Sequence, residues 1–168
     1  MTERKTIHKW YWAWAFDAEE RWLNAMALEG WALEGVGFCT FRFARCEPGE
    51  YVIRLEMHER DDAYIAFMKS TGAEYVGRVF QWVYFRKKAA CGEFDIFSDM
   101  DSRISHLARI ANTLRIVGAM NIVIGVINSF QPSHIGFLNL LCACLMMYGL
   151  GRVQGKAERL KNERTLHE

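Results

Sequence analysis

Between Arg115 and Arg152 the chain reads IVGAMNIVIGVINSFQPSHIGFLNLLCACLMMYGLG (residues 116–151), 36 residues without an Asp, Glu, Lys or Arg. In a chain of which 24% is charged, a gap of that length marks a change of solvent. It is interrupted once, at Gln131-Pro132-Ser133-His134, where polarity and a proline indicate a turn, leaving apolar runs of 15 and 17 residues. Crossing hydrocarbon takes roughly 17 to 25 residues. The first run reaches that length by extending back through Leu114 and Asn112, with Arg115 snorkelling to the headgroups. The stretch therefore predicts a two-helix transmembrane hairpin over 104–151 with its turn at 131–134; the alternative is an apolar hairpin buried in a soluble dimer.

Basic residues flank the gap: Arg103, Arg109 and Arg115 before it, then Arg152, Lys156, Arg159, Lys161 and Arg164 after it. The turn has none. The positive-inside rule then puts both termini in the cytoplasm and the hairpin in the inner (plasma) membrane, with the tail 152–168 a solvated basic helix near anionic headgroups. No signal peptide is expected, since the apolar run Trp10–Phe16 is short and meets Asp17, Glu19 and Glu20 at once. Gly118, Asn121, Gly125 and Asn128 share a stripe of the first helix, and Gly136, Asn139 and Ala143 a stripe of the second. Small side chains let backbones approach and amides seek partners, so both stripes predict helix packing. Cys142 and Cys144 read as small apolar fillers.

Outward from this stretch the composition changes. All six Trp lie within residues 1–97, and the only aromatics beyond are Phe130, Phe137 and Tyr148. The whole-chain averages, net charge +1 and 51% hydrophobic, conceal two parts; they exclude a disordered chain and a strongly basic nucleic-acid binder. Alternating aromatics from Trp10 to Phe16 suggest a first strand. Asp17 and Glu20 form a carboxylate capping box for a helix over 18–29, ended by Gly30. A strand over 33–43 follows, then a Pro48-Gly49 type II turn, a strand from Tyr51, a helix capped by Asp61 or Asp62 and ended by Gly72, and a strand over 74–86. Residues 91–103 connect to the hairpin, docking Phe94 and Phe97, with Ser98, Asp99 or Asp101 capping the next helix.

A repeat runs through the aromatic part. At a constant offset of 42, Glu19-Glu20-Arg21-Trp22-Leu23-Asn24-Ala25-Met26 matches Asp61-Asp62-Ala63-Tyr64-Ile65-Ala66-Phe67-Met68, and Gly30, Gly35 and Phe38 match Gly72, Gly77 and Phe80. Two β-α-β halves make an α+β, ferredoxin-like β-α-β-β-α-β domain over 1–90, helices covering one face of a four-stranded sheet. The open face would then be aromatic, with Trp10, Trp12, Trp14, Arg54, Trp82 and Tyr84 as ligand or partner contacts.

The blocks Lys9-Trp10-Tyr11-Trp12, Trp22-Leu23-Asn24-x-Met26-Ala27-x-x-Gly30-Trp31-x-Leu33, Gly35-Val36-Gly37-Phe38, Cys46-Glu47-Pro48-Gly49-Glu50-Tyr51, Gly72-Ala73-Glu74-Tyr75-Val76 and Trp82-Val83-Tyr84-Phe85-Arg86-Lys87 resemble a bacterial family, domain of unknown function 2812, over about residues 5 to 105. The resemblance brings no catalytic residues. It implies C-terminal membrane helices and genes beside PadR-like transcriptional regulators.

No metal or cofactor is expected: no Cys or His pair has a zinc spacing, and no phosphate-binding loop or nucleophile motif is present. Glu19, Glu20, Asp61 and Asp62 read as first-turn charges complementing helix dipoles. His8 and His58 could lie close on neighbouring strands. Arg42, Arg54, Arg78 and Arg86 interleave with aromatics as in RNA-binding sheets, but residues 1–97 hold 13 basic against 15 acidic residues, which argues against nucleic acid. The expected function is a non-enzymatic, membrane-anchored cytoplasmic module binding a protein partner, a second copy or an apolar small molecule. The alternatives are an enzyme with a dimeric aromatic pocket using His8, His58 or Arg54, and an accessory subunit of a membrane transporter.

Overall fold

The computed structural model describes residues 3–97, 99–130 and 135–167. The chain divides into two compact units, Met1–Ile96 and Phe97–Glu168.

The first unit runs β1 (Arg4–His8), α1 (Phe16–Leu28), β2 (Trp31–Gly37), β3 (Thr40–Arg45), β4 (Tyr51–Met57), α2 (Asp62–Ser70), β5 (Glu74–Val79) and β6 (Trp82–Lys88). It is a tandem of two β-α-β-β halves. Each makes a three-stranded antiparallel sheet, ordered β1-β3-β2 and β4-β6-β5, with the last strand of the half at the centre. This differs from the expected ferredoxin-like order because the segments 33–43 and 74–86 each fold back on themselves. Gly37 pairs with Thr40 across the turn Phe38–Cys39, and Val79 with Trp82 across Phe80–Gln81. Neither turn carries the Asn-Gly or Asp-Gly signature of a tight hairpin; the positive φ falls instead on Cys39 and Phe80, both at 53°.

The offset of 42 is a structural repeat. Gly30 and Gly72 end the two helices at φ 83° and 86°, a conformation that costs glycine least. Each half carries a register shift at the same place, between Leu33 and Gly35 in one and between Tyr75 and Gly77 in the other. The Pro48-Gly49 turn forms as expected, with the Glu50 amide donating to the Glu47 carbonyl at 3.0 Å and Gly49 at φ 75°. It links the two sheets instead of closing a hairpin, since β3 pairs with β1 and β2 while β4 pairs with β6.

Leu23, Met26 and Ala27 of α1 bury against Leu33, Phe41 and Phe43 of the first sheet and Ile53, Leu55 and Tyr84 of the second. A separate cluster joins Met68, Ala73, Val83 and Phe85 with Phe94. Alternate residues of β6 thus face different cores, Tyr84 toward α1 and Val83 and Phe85 toward α2, so the second sheet is covered on both faces. A fully buried Phe contributes about 1.5–3 kcal/mol, and Phe43 and Phe85 are both fully buried.

Two first-turn expectations resolve differently. Asp61 caps α2, accepting from the amides of Ala63 at 2.9 Å and Tyr64 at 3.2 Å. In α1 the N-cap is Ala15 with no side-chain cap. Its acids reach across the fold: Glu20 accepts from the Leu55 amide at 3.2 Å and pairs with Arg54 at 3.4 Å, while Glu19 accepts from Tyr84.

The second unit is a helix pair, α3 (Met100–Ser129) and α4 (Ile135–His167). Asp99 caps α3, accepting from the Ser102 amide at 2.7 Å in a capping box. Phe97 rests on His106 in this unit, and Phe94 docks in the second cluster of the first unit as expected. The two helices are long and apolar enough to cross a membrane; the expected turn 131–134 lies outside the described residues. A Cβ on Gly136 would stand 2.7 Å from the Gly125 carbonyl oxygen, and one on Gly118 would strike Met147, so these glycines set the approach of the helices. Ala143 is buried between them. Asn121 does not reach across: its amide donates to the Val117 carbonyl of its own helix at 2.9 Å. Ile116, Met120, Val123, Ile127, Phe130, Phe137, Leu138 and Leu141 are exposed on the pair, and Arg164 binds Asp101 near its charged end.

Candidate functional site

The first strand is Arg4–His8, and the segment Trp10–Phe16 expected to form it is instead a loop leading into a short 3-10 turn at Ala13–Ala15 and the start of α1. The alternation Trp10, Trp12, Trp14 reflects ring stacking. Trp12 and Trp14 lie nearly parallel with centroids 4.8 Å apart, and Trp10 meets Trp12 edge-on at 5.4 Å. The series continues on the hairpin tips: Trp10 meets Phe38 at 5.6 Å, and Phe38 meets Phe80 at 5.9 Å, both near perpendicular. Five rings from three chain segments form one ladder.

Such pairs are worth about 0.5–1.5 kcal/mol beyond the area they bury, so the ladder holds its own shape. It is also exposed: Trp10 is 51%, Trp12 40%, Phe38 63% and Phe80 76% accessible, with Trp14 buried as its root. The tips are pinned from beneath. Arg78 donates to the carbonyls of Phe80 at 2.7 Å and His58 at 2.9 Å, and Thr40 donates to the Phe38 carbonyl at 3.0 Å. On the same loop as Trp10 and Trp12, the Lys9 ammonium lies 4.4 Å from the Trp22 ring centre. Rigid, exposed aromatic surface of this kind suits binding, where Trp and Tyr supply large contact area at low entropic cost.

Of the residues expected on an open face, Trp10, Trp12 and Trp14 come together. The others are elsewhere, because both faces of the second sheet are covered. Trp82 stacks on Phe16 at 5.6 Å against the first core. Tyr84 is 4% accessible and its hydroxyl donates to Glu19 Oε1 at 2.6 Å. Burial holds Glu19 above the usual carboxylate range, opposed by that hydrogen bond, and burial likewise raises Tyr84. Arg54 serves the α1–β4 seam through Glu20. Phe38 and Phe80 were not among the expected contacts, though their match at offset 42 was the available signal.

His8 and His58 sit in or beside different sheets, His8 against the Thr40 hydroxyl at 3.3 Å and His58 stacked on Tyr64 at 4.1 Å. Among the described residues no group of three His, Cys, Asp or Glu is placed to hold a metal ion.

A family model described as "Protein of unknown function (DUF2812)" matches residues 15–119. The chain belongs to the DUF2812 family. No curated protein and no solved structure gives a match. The DUF2812 match begins at Ala15, at the foot of α1, and ends within α3, so it takes in Phe38 and Phe80 while Trp10, Trp12 and Trp14 precede it.

Proposed function

We propose that this DUF2812 protein is a membrane-anchored binding module without catalytic activity of its own, whose aromatic ladder receives a partner in the cytoplasm. The carrying observation is the ladder: four exposed rings on fixed backbone, built by both halves of a duplicated domain. The helix pair is the anchor in this reading. Apolar side chains face outward along α3 and α4, as lipid contact requires, and the basic residues flanking 116–151 favour both termini on the cytoplasmic side of the plasma membrane. A module so placed fits a membrane response under the PadR-like control that the family resemblance implies.

The test compares intact wild-type protein with a Trp10→Ala, Phe38→Ala, Phe80→Ala variant, each extracted from its own membrane with the surrounding lipid. A bound species present on the wild type and lost from the variant supports the reading. The same bound set on both proteins sinks it.

A further inference from the structure

We propose that a second site, on the face of the first sheet away from its core, binds a small phosphate-bearing anion. A cleft of about 480 Å³ opens there, within the range of roughly 300–1,000 Å³ usual for small-molecule sites. Arg4, Lys5, Arg42 and Arg86 line it against one lining carboxylate, Glu34. It is separate from the aromatic ladder and does not depend on the reading of that surface.

The cations are arranged differently from a solvated charge run. Arg86 reaches in from β6, donating to the Leu33 carbonyl at 2.8 Å and to Glu74 at 2.7 Å, with its guanidinium 4.6 Å from the Tyr51 ring centre. Arg4 is held by Glu34 at 3.0 Å, a residue brought to this place by the register shift in β2. Two guanidiniums are therefore positioned by carboxylates before any ligand arrives. The third, Arg42, makes no hydrogen bond or ion pair among the described residues. It lies over Gly35, in the cross-strand row Thr6–Arg42–Gly35, where a Cβ would come within 2.6 Å of its Nη2. Glycine there gives the guanidinium a bed on the sheet.

The fold does not demand a cation at this position. Its counterpart 42 residues on is Tyr84, opposite Gly77, and that side chain turns into the core to meet Glu19. The first half has the same strand position and the same glycine, yet presents a free guanidinium to a cleft. Glu34 and Glu74 engage Arg4 and Arg86 and leave the Arg42 fork without an anion, whereas a phosphate offers three acceptor oxygens to donors from separate strands. The ligand class is a phosphate monoester or diphosphate, supplied by a soluble metabolite or by a lipid headgroup.

Calorimetric titration of the intact protein in phosphatidylcholine nanodiscs with inorganic pyrophosphate tests this. The wild type should bind, Arg42→Gln should bind at least about tenfold more weakly, and Lys69→Gln, a charge change on the far helix α2, should match the wild type. Repeating the titration in nanodiscs containing phosphatidic acid separates the sources. Weaker pyrophosphate binding there identifies a headgroup as the occupant, and unchanged binding a soluble phosphate. No binding by the wild type, or equal losses in Arg42→Gln and Lys69→Gln, would overturn the proposal.

Discussion

The Asn24 carboxamide closes the outer edge of β4 at Ile53: its Nδ2 donates to the Ile53 carbonyl at 2.9 Å and its Oδ1 accepts from the Ile53 amide at 2.9 Å. One side chain on α1 thus stands in for a neighbouring strand, and Glu20, one turn earlier, does the same for the Leu55 amide. Leaving a buried backbone group without a partner costs about 1–3 kcal/mol. Asn24→Ala should therefore lower stability by about 2 kcal/mol or more, read as the denaturation midpoint of the intact protein. It should also speed hydrogen exchange at Ile53 ahead of the rest of β4. An unchanged exchange rate at Ile53 would show that water replaces the carboxamide.

Glu19 gives the domain a predictable response to pH. Its folded pKa is raised by burial, so the native state holds the proton more tightly than the unfolded chain does. Stability from this residue is fully present below the ordinary carboxylate pKa and is lost as pH rises through the folded value. Glu19→Gln keeps an acceptor for the Tyr84 hydroxyl and removes the charge. The variant should be more stable than the wild type at neutral pH and should lose the decline between acidic and neutral pH. A wild-type stability that instead climbs with pH over that range would contradict the burial argument.

Cys39 holds a left-handed backbone conformation at φ 53° in the β2–β3 turn. That conformation costs an L-residue with an ordinary side chain about 1–2 kcal/mol, and Asn tolerates it best after glycine. Cys39→Asn should raise the melting temperature, with a gain of about 0.5–1 kcal/mol. A fall would mean that the thiol packs more productively than its partial exposure suggests.

In the helix pair, Gly136→Val should separate α3 from α4, because a Cβ at that position meets the Gly125 carbonyl oxygen at 2.7 Å and Ser129 at 2.8 Å. Overpacking of this kind costs about 1–3 kcal/mol. The expected readout is a lower unfolding temperature in detergent, with the tryptophan signal of the first unit unchanged. Gly151→Val, where a Cβ would meet nothing within 4 Å, is the matched control and should behave as wild type.

What could be read from the residues depended on whether the signal was local. The duplication was visible because Gly30 and Gly72 each end a helix and Gly35 and Gly77 each follow a register shift, while Phe38 and Phe80 each open a hairpin turn. The helix pair was visible because its uncharged run has no other reading of comparable length. The hairpin turns were hidden: Phe38–Cys39 and Phe80–Gln81 contain no glycine or asparagine, and strand-forming residues continue on both sides, so each hairpin resembles one long strand. The loop Lys9–Trp12 was hidden for the opposite reason, since stacked rings imitate the period of a strand. Glu19 and Glu20 fit a helix-capping pattern, and their partners Tyr84 and Leu55 lie 65 and 35 residues away. No spacing rule reaches that far.

The clasp of α1 on β4 gives the chain a direction of assembly. Helix α1 precedes β4, so as a ribosome delivers the protein, the cover for that strand's outer edge is already outside the tunnel when the strand emerges. A bare edge is a template for pairing with a neighbouring chain, and this order of synthesis limits the time for which β4 presents one. The two halves look alike but are not interchangeable in time: a fragment beginning at Gly49 would carry β4 without the Asn24 and Glu20 side chains that cover its outer edge.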